Sequence, residues 1–335
     1  MIHSIAAVIA RSFAFVPSGK AMRRMAIATA ISTWVLLLVG CMVHGTGSSL
    51  ACPDWPTCYG TFFPEMKNGV EYEHTHRVVA TAIGIMTLVL GWMAWKRRKL
   101  EGGRTTMKLS MLAIGMVVFQ GVLGGVTVLL QLPLAVTMAH LTTSMCFFCL
   151  LSWIALRSSP KVASEVPRGL ARLRPIAVVV AFATLGQIFL GGIVRHTHNG
   201  LACDKIPLCD GNELWPAALG KRIQMGHRIF AVVLAIAIVA LAVTVWRRAS
   251  GSPRHRTLAV AAVVLVLGQI VLGLVSVAYF LPLFPVTAHL GVAALILVTH
   301  VALVAELPRA PAAVKSRSIS RAASDGEPAY ASGGE

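Results

Sequence analysis

Charge is scarce in this chain. Only 13% of its 335 residues are Asp, Glu, Lys or Arg, and just 13 are acidic. With 56% of residues apolar and a mean hydropathy of +0.74, that scarcity excludes both an ordinary soluble domain and a disordered chain. Seven cysteines spread over 335 residues are too few for a secreted disulfide scaffold, and no fibrous repeat runs through the chain. The acids are outnumbered by 30 Lys and Arg, giving a formal charge of +17. Such a balance raises nucleic-acid binding as a question, and the placement of the charges answers it.

What the chain has is long apolar runs, at about 25–44, 76–95, 109–130, 135–156, 175–194, 226–246, 258–280 and 285–305. A helix crossing a bilayer needs roughly 20 apolar residues, so the sequence predicts an all-α integral membrane protein of eight transmembrane helices. Seven basic residues (Lys67, Arg77, Arg195, Lys205, Lys221, Arg222, Arg228) fall on one side of these runs, and the remaining 23 fall on the other. The positive-inside rule then places both termini in the cytoplasm and the long loops, at about 45–75 and 195–224, outside. The basic excess is a topology signal, which leaves no role for nucleic acid. Residues 1–24, basic and acid-free, read as a cytoplasmic extension ahead of a first run that is itself a span. Residues 158–174 read as a cytoplasmic linker, and 306–335, rich in Ala, Ser, Gly and Pro, as a disordered cytoplasmic tail.

The chain also repeats itself. Leu50-Ala51-Cys52, Cys58 and His76-Arg77 recur as Leu201-Ala202-Cys203, Cys209 and His227-Arg228, at an offset of 151. Gln120–Gly124, Leu132-Pro133-Leu134 and Ala139-His140-Leu141 recur as Gln269–Gly273, Leu281-Pro282-Leu283 and Ala288-His289-Leu290, at an offset of 149. A unit of four helices is even, so both copies share one orientation. The expected architecture is two tandem four-helix bundles, 25–157 and 175–305, related by a pseudo-twofold along the membrane normal.

Ionisable residues inside spans are costly and mark functional sites by default. His76 and His227 open the second and sixth runs, and His140 and His289 lie about five residues into the fourth and eighth. Each half thus supplies one imidazole from its second helix and one from its fourth, an arrangement that can hold a planar macrocycle between helices by its metal. A closed zinc site would want four ligands close together. Arg77 and Arg228 either pair with carboxylates of such a macrocycle or snorkel to headgroups. His196 and His198 can line an entrance; His44, His74 and His300 stand alone, and His3 and His255 are expected to be solvated.

The halves differ at one informative place. Glu73, three residues before His76, is matched by Gln224 before His227. Positions i and i+3 share a helix face, so the first half has a carboxylate beside its histidine that can take up a proton, and the second has an amide that cannot. Chemistry therefore belongs to the first half and cofactor retention to the second. The pairs Cys52/Cys58 and Cys203/Cys209 are expected to be disulfides in the outer loops, either staples that shape each loop or redox-active pairs. Cys41, Cys146 and Cys149 read as packing residues.

Together, Glu73-x-x-His76-Arg77, the two Ala-His-Leu tripeptides, Gly226-His227-Arg228 and the paired loop cysteines resemble the haem A synthase family, in its bacterial type with cysteine pairs in both long loops. The resemblance covers about residues 25–305. It implies a membrane oxidoreductase that turns a ring methyl of haem O into a formyl group by successive hydroxylations, giving haem A for cytochrome oxidase. It further implies haem b held by His227 and His289 in the C-terminal half, and substrate haem O at His76 and His140 beside a catalytic Glu73. Haem O synthase and cytochrome oxidase assembly factors are the partners it suggests. Three other readings stay open: a bis-haem electron-transfer protein using the same histidines, a disulfide-exchange protein, and a transporter on parallel repeats. Prenyl transfer onto haem is disfavoured, because no Asp-rich magnesium motif stands in the loops.

Overall fold

A backbone crossing hydrocarbon must satisfy its own N–H and C=O groups, so each apolar run becomes a helix. The computed structural model describes residues 16–158, 168–249 and 251–307. Eight α-helices occur among the described residues: α1 Gly19–Gly45, α2 Val70–Lys96, α3 Gly103–Leu129, α4 Leu134–Arg157, α5 Arg174–His196, α6 Leu219–Arg248, α7 Pro253–Ala278 and α8 Leu283–Glu306. All eight are long and apolar enough to cross a membrane, and the chain is a multi-pass, all-helical membrane protein. Much of the expected extension, linker and tail (residues 1–15, 159–167 and 308–335) lies outside the described residues.

Several helices begin before their apolar runs, because polar first turns are satisfied locally. The Ser18 hydroxyl accepts the Ala21 N–H at 3.1 Å, and Glu71 accepts the Gly69 N–H at 3.0 Å, placing a carboxylate at the positive end of α2. α1 and α2 therefore start at Gly19 and Val70, and α6 starts at Leu219. His76 and His227 do not open their helices, as the runs suggest, but sit well inside them. His76, His140 and His289 each come six residues after the first residue of their helix, about 9 Å along it.

In the first half α1 packs on α2, α2 on α3, α3 on α4 and α4 back on α1; the second half closes in the same way through α5, α6, α7 and α8. The halves meet through α1 with α8, α4 with α5, and α4 with α8. Exchanging each helix for its repeat partner leaves this whole set of pairings unchanged, as a twofold passing between α4 and α8 would require. Glycines let the halves approach: Met138 and Leu141 of α4 lie against Gly192 of α5, and Trp34 of α1 donates from Nε1 to the Gly291 carbonyl of α8 at 3.0 Å. The outer surface is apolar, with Phe182 70% and Ile236 65% exposed, as suits contact with lipid. The tight turns α3–α4 and α7–α8 are built alike, each with two consecutive residues in the left-handed region: Gln131 and Leu132 in one, Phe280 and Leu281 in the other.

Candidate functional site

Four imidazoles occupy repeat-related places, one on each even-numbered helix, and each ring faces a glycine on the helix before it. A Cβ on Gly40 of α1 would lie 3.0 Å from His76 Cε1, and one on Gly124 of α3 would lie 3.5 Å from His140 Cε1. In the second half the same distances are 3.0 Å from Gly191 to His227 and 3.1 Å from Gly273 to His289. A side chain at Gly40, Gly191 or Gly273 would press on the ring, and one at Gly124 would just touch it. Gly40 and Gly191 were not singled out from the sequence, although they stand at the same offset of 151 as the histidines they face. Within each half the two imidazoles lie within electrostatic reach of one another. Nδ1 of His76, His140 and His289 is buried without a hydrogen-bond partner.

This donor set fits a haem: paired imidazoles from separate helices, unpartnered ring nitrogens, and a cradle that a Cβ would fill. Among the described residues no group of three or more His, Cys, Asp or Glu could hold a metal ion. His227 differs from the others. Its Nδ1 lies 2.9 Å from Gln187 Nε2, which also donates to the His227 carbonyl at 2.9 Å. Position 36, the repeat counterpart of Gln187, is Leu. Gln120 makes only the backbone contact in the first half, to the His140 carbonyl at 3.1 Å.

Beyond the histidines, each long loop closes over its own bundle. Cys52–Cys58 and Cys203–Cys209 are disulfides, buried at Cα–Cα distances of 4.8 and 4.7 Å. Glu73 is only 4% exposed; its Oε2 accepts the Cys52 N–H at 2.8 Å and its Oε1 accepts from Arg77 at 2.5 Å. Gln224 repeats the first bond, its Oε1 accepting the Cys203 N–H, and adds a donation from Nε2 to the Gly200 carbonyl at 2.6 Å. The Glu/Gln position is thus a loop anchor in both halves as well as the place where they differ chemically. The neighbouring acid Glu71 is engaged at the helix start.

The arginines have a role the sequence did not suggest. Arg77 donates to the carbonyls of Asp54 (2.7 Å), Thr57 (2.5 Å) and Cys52 (3.3 Å). Arg228 donates to those of Lys205 (2.8 Å), Pro207 (3.2 Å) and Cys203 (2.6 Å). Neither guanidinium snorkels away from the protein; both clamp a cysteine loop. In the first loop the Thr57 hydroxyl, then the Gly60 and Tyr59 N–H groups, hold the Asp54 carboxyl below the usual carboxylate range. Trp55 lies over α3, where a Cβ on Gly125 would come within 2.7 Å of its ring.

The other histidines depart from expectation. His44, expected to stand alone, meets His196: the ring centroids of these last-turn residues of α1 and α5 are 4.4 Å apart. His255 is not solvated but buried against the Ser252 hydroxyl at 2.6 Å, because the α6–α7 turn folds back over it. His300 is a satisfied core residue whose Nδ1 lies 2.8 Å from the Ile296 carbonyl.

Residues 23–301 match the model of the COX15-CtaA family, described as cytochrome oxidase assembly proteins. The chain is 28% identical over 314 residues to a protein named heme A synthase from Shewanella oneidensis, covering 82% of this chain and 92% of that one. It is similarly related to proteins of that name from Geobacillus kaustophilus (30% over 275 residues; 81% and 86% covered) and Bacillus licheniformis (29% over 240 residues; 70% and 79% covered).

Proposed function

The chain belongs to the family of cytochrome oxidase assembly proteins, and from that premise we propose that it converts haem O to haem A, oxidising a ring methyl to a formyl group by successive hydroxylations with loss of water from the geminal diol. The observation that carries the assignment of roles is the pairing of two like histidine sites with a single carboxylate. Glu73 stands beside one site and Gln224 beside the other.

His76 and His140 bind and orient the substrate in the N-terminal half, and His227 and His289 hold a resident haem b in the C-terminal half. When bound, haem b supplies a site for electrons. Gln187 ties the His227 backbone to α5 through its carbonyl, a restraint that His76, with Leu at the matching position, lacks. Glu73 takes up a proton near the reacting methyl. Each of its oxygens accepts one hydrogen bond and keeps a second lone pair for that purpose. The loop held by Arg77, with Trp55 seated on Gly125, excludes water from this half. The termini lie in the cytoplasm, and the partners are the enzyme that delivers haem O and the assembly factors that receive haem A.

One observation favours a purely electron-transferring bis-haem protein: Gln224 makes the same loop bond as Glu73, so that bond alone needs no carboxylate. Expression in a host that makes haem O, followed by chromatography of the haems extracted from the purified protein, separates the two. Haem b with haem A or a hydroxylated haem O supports synthesis. Haem b alone supports electron transfer.

A further inference from the structure

Arg195 is the residue that the account so far leaves without work. It lies in the last turn of α5, its Nε is buried without a hydrogen-bond partner, and among the described residues no carboxylate pairs with it. An unpaired guanidinium nitrogen in a buried place is costly unless an anion joins it. It does not escape to the lipid either. Its Nη2 reaches across the seam between the halves, to 3.0 Å from where a Cβ on Gly45 of α1 would stand. Around it gather His44 and His196, with ring centroids 4.4 Å apart, and Cys41 of α1, which Thr287 of α8 also reaches. His44 sits at the repeat position of Arg195, offset by 151.

The register on α5 says what this cluster serves. Gly191, the glycine facing His227, precedes Arg195 by four residues, so both lie on one helix face. The Arg195 Cα therefore stands about one turn, roughly 6 Å along α5, beyond that of the glycine facing His227. The arginines beside the axial histidines, Arg77 and Arg228, already spend their donors on loop carbonyls. A macrocycle held by His227 and His289 carries two carboxylates that still need a counter-charge.

We propose that Arg195, supported by His44 and His196 at the seam between the two halves, is the anchor for a propionate carboxylate of the haem held by His227 and His289. The inference rests on the haem reading of those two histidines. Anchoring from the seam ties the haem of one half to the helix ends of the other, so α1 senses whether the C-terminal site is filled.

The test titrates haem-free, full-length protein with haem b and with its dimethyl ester, which keeps the iron and ring but has no carboxylate. Binding is followed by the visible spectrum in wild type, Arg195→Leu and Arg195→Lys. Wild type is expected to prefer the free acid by roughly tenfold or more, Arg195→Leu to bind both forms alike, and Arg195→Lys to keep part of the preference. Haem-free Arg195→Leu should melt no lower than wild type, since the guanidinium has no partner to lose. An unchanged preference in Arg195→Leu overturns the proposal and leaves a lipid phosphate as the counter-ion. So does a haem-free Arg195→Leu that melts well below wild type, which would make Arg195 a structural residue. Wild type that takes up neither form overturns the haem reading itself, an outcome distinct from uptake without preference.

Discussion

At the scale of single residues, Glu73 shares its loop bond with its repeat partner, and the catalytic task proposed for it is one that Gln224 cannot perform. Both Glu73 and Gln224 receive the N–H of the first loop cysteine, so an amide at position 73 can hold the loop. The Glu73→Gln variant therefore keeps the loop bond while removing the proton-accepting carboxylate and its ion pair with Arg77. It is expected to fold, to keep its haem b spectrum, and to lose haem A formation by about a hundredfold or more, the usual scale of general acid–base assistance. Wild-type conversion by Glu73→Gln, measured by haem chromatography, would leave the carboxylate with only its loop bond. The four glycines that face the imidazoles belong to this scale too. Gly40, Gly191 and Gly273 leave room for the ring opposite that a Cβ would take, and the repeat offset made Gly40 and Gly191 findable. The Gln187–His227 and His44–His196 contacts join different helices at no periodic spacing, and one sequence holds no signal for them.

At the scale of elements, each long loop is a unit tied to the helix that follows it. One disulfide closes it, one arginine clamps three of its carbonyls, and a Glu or Gln pins the first cysteine. Hydrogen bonds from a charged donor contribute about 1.5–3 kcal/mol each. Arg77→Leu is thus expected to destabilise the first loop by at least about 2 kcal/mol, and the effect is worsened because Glu73 loses its counter-charge. Hydrogen exchange at residues 52–60 is the check: faster exchange there, with the helices unchanged, is the expected result, and unaltered protection would show that the disulfide alone shapes the loop. The sequence left Arg77 two roles, macrocycle carboxylates or headgroups, because a long side chain at a helix start can turn either way. The choice is made by carbonyls twenty or more residues upstream. The helices themselves were legible, since a run of about 20 apolar residues leaves the backbone no other arrangement; their starts were not, because Ser18 and Glu71 extend them through polar residues.

At the scale of the whole molecule, a duplicated four-helix unit is put to two uses. The pairings that close each ring are the same, and so are the pairings across the seam under exchange of halves; what differs is a handful of side chains. Glu73 faces Gln224 across the repeat, Leu36 faces Gln187, and His44 faces Arg195. In the proposed reading, these differences suit the N-terminal half to exchange and chemistry and the C-terminal half to retention. The fold and the histidine pairs could be read from the sequence because duplication writes them twice. The division of labour could be read only at Glu73, because the other two differences acquire meaning once the helices are packed.

The most direct test of that division compares the haems extracted from His76→Ala and His227→Ala, each purified from a host that makes haem O. The account predicts that His227→Ala loses haem b, whereas His76→Ala keeps haem b and yields no haem A. Equal loss of haem b from both variants, or its full retention in His227→Ala, would contradict it.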